Sequence, residues 1–116
     1  MPRMDVETRV DDGVGVVAPR GELDLAATPL LEDALDAVCR ENGVEGVVLD
    51  LSGLEFMDSS GLRCVVQADQ RTRGRGLRFA LVRGGEPVHR VFEITRMTER
   101  LSWVQDPGEL GAGERP

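Results

Sequence analysis

Residues 45–51 read EGVVLDL, and residues 77–82 read LRFALV. Neither run alternates apolar with polar side chains. A strand with one wet face would alternate, so both read as central strands covered on at least one face. Between them, Leu62, Val65 and Val66 recur with helical spacing from Ser60 to about Arg73, and Gly74 and Gly76 stop the pattern. Buried strand, helix, buried strand is the parallel unit whose crossover is right-handed.

The remaining segments extend this unit on both sides. In MDVETRV, Met4, Val6, Thr8 and Val10 fall on one side of a strand, and DDG at 11–13 is a hairpin turn signal. VGVVAPR, 14–20, pairs back as a second strand, and GELDLAATP connects it to a helix. Thr28 is expected to cap that helix, with Pro29 in its first turn. Leu30, Leu31, Ala34, Leu35 and Val38 form its apolar stripe, and Asn42-Gly43 ends it. A third helix is expected from Glu86 to about Thr95, with Val88, Val91 and Phe92 inward. LSWV, 101–104, fits a short last strand. The order is β-β-α-β-α-β-α-(β). It predicts one α/β domain with a mixed, mostly parallel sheet, an N-terminal β-hairpin and about three helices. The domain is expected over 1–105. Residues 106–116, DPGELGAGERP, read as a flexible tail or at best one helical turn.

Composition narrows the function. The chain has 116 residues and a formal net charge of −7. That field repels phosphate backbones and makes direct nucleic-acid binding an unfavourable expectation, while it suits a basic protein surface. No apolar run reaches the roughly 20 residues that span a bilayer, so no membrane insertion is expected. MPRMDVETRV has no apolar signal core, which points to the cytoplasm. Cys39 and Cys64 sit in apolar helical stripes and read as buried free thiols. No metal-ligand spacing, Walker loop or G-x-G-x-x-G is present, so no cofactor or metal is expected. There is one histidine, His89, and no G-x-S-x-G elbow, which argues against a serine hydrolase and for a protein that is not an enzyme. His89 reads as a surface or packing residue.

In α/β sheets, functional groups gather at the carboxyl ends of strands. Two loops are expected to meet there: GELD after the second strand and FMDSSG after the third. Asp58, Ser59 or Ser60 can each accept from the free donors of a helix's first turn. One capping residue suffices, and this loop supplies three. A hydroxyl there is exposed, on a rigid base, among unpaired amides. A phosphate on it is tolerated by the helix start and adds about −1.5 to −2 charges. It would therefore switch a contact without unfolding the domain.

GELDLAAT at 21–28, VVLDLSGLEFMDSSGL at 47–62 and EPVHRVFEI at 86–94 together resemble the STAS-domain anti-sigma-factor antagonists of bacteria. The likeness covers roughly residues 5–105. It implies a single STAS-like domain whose unphosphorylated form binds an anti-sigma factor with serine kinase activity and so releases a sigma factor. It implies phosphorylation of the first serine after the acid, Ser59 by position, which switches binding off, and a serine phosphatase that reverses it. The partner-binding set it implies is Asp24, Asp58, Ser59, Ser60 and Gly61. Within that set Asp58 orients the loop, Ser60 caps or shapes it, and Gly61 allows either close approach of a partner or the helix-start geometry. Glu22 reads as a solvated acid. Phe56 is expected in the core, and Met57 and Phe56 are the alternatives for an exposed anchor. RTRGRGLR, 71–78, reads as a solvated helix end. Two departures from the family stand out: MTERL follows the third helix where members often carry Gly-Leu, and DPGELGAGERP stands where members tend to have a fourth helix. The alternative function is a STAS interaction module of another signalling scaffold or transport complex.

Overall fold

The computed structural model describes residues 3–113, with side chains through residue 110. Strands β1 (Met4–Asp11) and β2 (Val14–Leu23) form the antiparallel hairpin read from the sequence. Helix α1 (Thr28–Cys39), strand β3 (Gly46–Asp50), strand β4 (Leu54–Met57) and helix α2 (Ser59–Gly74) follow. Strand β5 (Arg78–Val82), helix α3 (Glu86–Ile94), a 3-10 turn (Met97–Glu99), strand β6 (Trp103–Val104) and helix α4 (Gly108–Gly113) complete the chain. The sheet order is β1-β2-β3-β5-β6, with β4 paired to β2. All pairs except the hairpin are parallel.

Parity in the apolar runs explains their lack of alternation. Val47 and Leu49 of β3, and Phe79 and Leu81 of β5, join the large core built with α1, α2 and α3. Val48 and Ala80, on the opposite parity, form a second cluster with Val14, Val16 and Leu110. Leu110 belongs to α4, so the second face is capped by the very segment that looked like a tail. The Arg78 side chain donates to the Leu110 carbonyl and helps hold it there. Each fully buried Leu, Val or Phe contributes about 1.5–3 kcal/mol of burial free energy.

Strand β4 was hidden in the sequence. Its four residues lie between Gly53 and Asp58, too few for a readable period, and they read as part of a loop. They form a strand because β2 outruns β3. The first half of β2 pairs with β3 and its end pairs with β4, through an irregularity between Gly21 and Glu22. This shift places Gly21 opposite Leu54 but Glu22 opposite Phe56, leaving Glu55 as an extra residue. Leu54 and Met57 both turn inward as a result, and Phe56 is 48% exposed. Phe56 is therefore the exposed side chain and Met57 the core one, the reverse of the expectation for Phe56.

Helix ends also depart from expectation. Thr28 does not cap α1: the cap position is Ala27, and the Thr28 hydroxyl donates to the Leu25 carbonyl. Helix α1 stops at Cys39, before the Asn42-Gly43 turn. Helix α3 ends at Ile94, and the hydroxyl of its cap residue, Thr95, donates to the Val91 carbonyl at 2.7 Å. The next residue, Arg96, takes a left-handed φ of 62°, a conformation that glycine adopts without a Cβ penalty. Arg96→Gly is expected to stabilise the fold by about 1 kcal/mol, read as a higher urea midpoint at unchanged slope.

Candidate functional site: the paired loops at the ends of β2 and β4

Leu23, the last residue of β2, lies opposite Met57, the last residue of β4. Their parallel pairing delivers the Asp24 loop and the Asp58 loop side by side at one end of the sheet. The Asp58 amide donates to the Leu23 carbonyl at 3.4 Å, tying the two loops together. The sequence predicts that these two loops meet; the strand that brings them together, β4, was not legible in it.

Asp58 is the cap of α2. It is extended (φ −106°, ψ −171°), and its Oδ1 accepts from the Gly61 amide at 3.0 Å. That bond answers one of the helix's free donors and puts a carboxylate at the positive end of the dipole. Ser60 is not the cap; it is the second helical residue and half-buried. Asp58→Ala should cost about 1 kcal/mol, seen as a lower denaturation midpoint, with Asp58→Asn retaining most of the stability.

Ser59 is the first helical residue and is exposed. Helix geometry leaves the amides of Ser59 and Ser60 without intrahelical acceptors. Gly61 is buried, and a Cβ there would lie 2.7 Å from the Leu23 carbonyl and 2.6 Å from Met57 Cγ. The close approach that it permits is to the chain's own β2 and β4. Asp24 is half-buried, and its Oδ1 accepts from the Ala27 amide at 3.1 Å, closing the turn into α1. Glu22 is no free acid: it pairs with Arg3 at 3.3 Å.

Around these polar groups stand side chains that sequence periodicity placed elsewhere or passed over. Leu25, in the Asp24 loop, is 71% exposed, and Leu30, assigned to the α1 stripe, is 42% exposed. With Phe56 they give the strand ends an apolar component. The signal was present in GELDLAAT, where Leu25 falls outside any helical or strand period.

The other candidate groups do not join this site. His89 is buried on α3 against Phe92 and Trp103, so the packing reading holds. Cys64 is buried, and burial above all, with Glu32 adding, pushes its thiol up to about 11, which keeps it protonated and unreactive at neutral pH. Cys39 is only partly buried, and both thiols are free. In the arginine-rich helix end, Arg73 and Arg75 pair with Asp69 and Asp36. Among the described residues no group of His, Cys, Asp and Glu could hold a metal ion, and no helix is long and apolar enough to cross a membrane.

The STAS domain family model matches residues 5–107, nearly the whole described chain. The chain belongs to the STAS domain family. Within it, an anti-sigma F factor antagonist of Paenibacillus polymyxa is 29% identical over 92 residues, covering 79% of both chains. The anti-sigma-F factor antagonist RsfB of Mycobacterium tuberculosis is 33% identical over 82 residues, 67% of this chain and 66% of that one. Among solved structures, an anti-sigma factor antagonist from Mycobacterium paratuberculosis superposes with a TM-score of 0.79 at 28% identity, covering 89% of this chain and 86% of that one. The STAS architecture accounts for the mixed sheet and N-terminal hairpin.

Proposed function

We propose that this STAS domain is an anti-sigma-factor antagonist whose contact with its partner is switched at Ser59. In this reading the unphosphorylated form binds an anti-sigma factor that carries serine kinase activity, and a sigma factor is released. Phosphorylation of Ser59 ends the contact, and a serine phosphatase restores it. The domain itself performs no catalysis. The relatives' names support the partner class. The observation that carries the reading is the placement of Ser59: exposed, first in α2, and beside the Asp24 loop.

That placement suits a reversible charge. A phosphate on Ser59 meets the free first-turn amides and the helix dipole, which offset its cost to the domain. Asp58 already occupies the Gly61 amide, so the helix stays capped whether or not the phosphate is there. Asp58 and Asp24 stand close enough in the paired loops to add negative charge around it, and a docked partner surface feels the sum. Asp24, Asp58, Ser59 and Ser60 would form the polar part of the contact, while Gly61 acts from beneath by letting α2 start against β2.

The test is phosphate mapping after incubation with the cognate kinase and ATP. Wild type and Ser60→Ala should be labelled, and Ser59→Ala should not. Labelling that survives Ser59→Ala, or is lost only in Ser60→Ala, overturns the assignment. Recovery of a transport complex rather than an ATP-binding kinase on the unphosphorylated domain overturns the partner class.

A further inference from the structure

A cleft of about 820 Å³ opens at the carboxyl ends of β5 and β6, away from the Asp24 and Ser59 loops. Its size is within the range of small-molecule sites, and strand carboxyl ends are where α/β sheets place them. Val82 and Val104 give it an apolar floor, and Trp103 gives it an aromatic wall. Trp103 is half-buried and cannot swing freely. Its indole N–H donates to the Thr98 carbonyl at 3.0 Å, and its ring meets His89 and Phe92 edge-on, each at a centroid distance of 5.1 Å.

His89 lines the same cleft and carries an unexplained group. It is 9% exposed, and its Nδ1 is buried without a hydrogen-bond partner. An N–H enclosed without an acceptor is rarer in folded proteins than an unsatisfied acceptor. The proton of the neutral ring therefore belongs on Nε2, leaving Nδ1 as the bare lone pair. Nε2 is not among the buried unpartnered atoms, and His89 lines the cleft, so its N–H is the polar edge that the ring turns to the opening. Arg83, at the end of β5, adds a guanidinium that is 53% exposed and oriented by Glu86 at 3.1 Å. On the opposite side, the one carboxylate in the lining, Glu109, accepts from the Gln105 amide at 2.9 Å.

We propose that this cleft is a binding site for a small planar aromatic carboxylate, its ring against Trp103 and its carboxylate taken by Arg83 and His89 Nε2–H. The site is separate from the partner-switching surface and stands whether or not Ser59 is phosphorylated. Trp103 is the sole tryptophan of the chain, so its indole N–H gives one resolved resonance that reports on the cleft alone.

The experiment titrates the full chain with 2-naphthoate, following that resonance by NMR, with 2-naphthamide as the uncharged probe. Naphthoate should shift the resonance saturably at submillimolar concentration. The amide, Arg83→Gln and His89→Phe should each weaken binding about tenfold, the scale of one charge-assisted hydrogen bond. Glu109→Gln should tighten it a few-fold by removing the opposing charge. Arg83 and Glu109 are surface residues whose replacement leaves the core intact, so the test survives if His89→Phe alters packing. A shift that stays linear into the millimolar range, equal affinity for acid and amide, or indifference to Arg83→Gln overturns the proposal.

Discussion

Ser59→Asp, and stoichiometric phosphorylation of Ser59, are expected to weaken binding to the anti-sigma partner by about 100- to 3,000-fold. The estimate follows from losing one favourable contact and adding a repulsion at a desolvated site, about 3–5 kcal/mol, at about 1.4 kcal/mol per factor of ten. The aspartate, with one charge and two oxygens, should fall at the low end and the phosphoserine at the high end. The melting temperature should hardly move in either case. Ser59 is exposed at a helix start already capped by Asp58, so the new charge meets water and free amides rather than the core. Calorimetric titration of wild type, Ser59→Ala, Ser59→Asp and the phosphorylated protein, each paired with a thermal melt, separates the two effects. Equal affinities across the series would remove Ser59 as the switch. A large fall in melting temperature would show that the charge acts by unfolding the loop.

Gly61→Ala is expected to have the largest effect on the fold itself. A methyl there would lie 2.7 Å from the Leu23 carbonyl, 2.6 Å from Met57 Cγ and 2.9 Å from Leu23 Cγ. One of those neighbours is backbone in a paired strand, and the other two belong to side chains 0% and 3% exposed, so none can yield cheaply. Overpacking of this kind costs about 3 kcal/mol, the upper part of the usual range. For a chain of 116 residues that lowers the melting temperature by about 12 °C. Relief would come from separating α2 from the ends of β2 and β4, which is the arrangement that brings the Asp24 and Ser59 loops together. Partner affinity should therefore fall along with stability, unlike the Ser59 series. A melt within about 2 °C of wild type would mean that the helix start is more compliant than its contacts indicate.

The same residues show what the sequence could reveal. Runs such as VVLDL and RFALV announce buried parallel strands because both parities are apolar, and a strand buried on both faces has no other composition open to it. Helical stripes in α1, α2 and α3 were visible for the same reason: a fixed period meets one continuous core. The DSSG loop stood out because three capping side chains crowd one helix start. Its likeness to the STAS antagonists extended that reading to Ser59.

Other features exist only through pairing at a distance. Four residues of β4 have no period of their own and become a strand because the overhanging end of β2 leaves hydrogen-bonding groups unpaired. The irregularity there inverts the roles of Phe56 and Met57, since one extra residue exchanges the inward and outward faces. Helix α4 is short and glycine-rich, and it is held by Leu110 against valines whose second face needed a cover. His89 looks like any helical residue until Trp103, from a strand formed later in the chain, closes against it. The sequence by itself determined which segments are strands and helices wherever burial is continuous along the chain, and it singled out the serine loop. The tertiary structure alone decided which short strand joins the two loops, which apolar side chains stay wet and which glycine holds the loops together, because these depend on contacts between segments whose local patterns carry no record of each other.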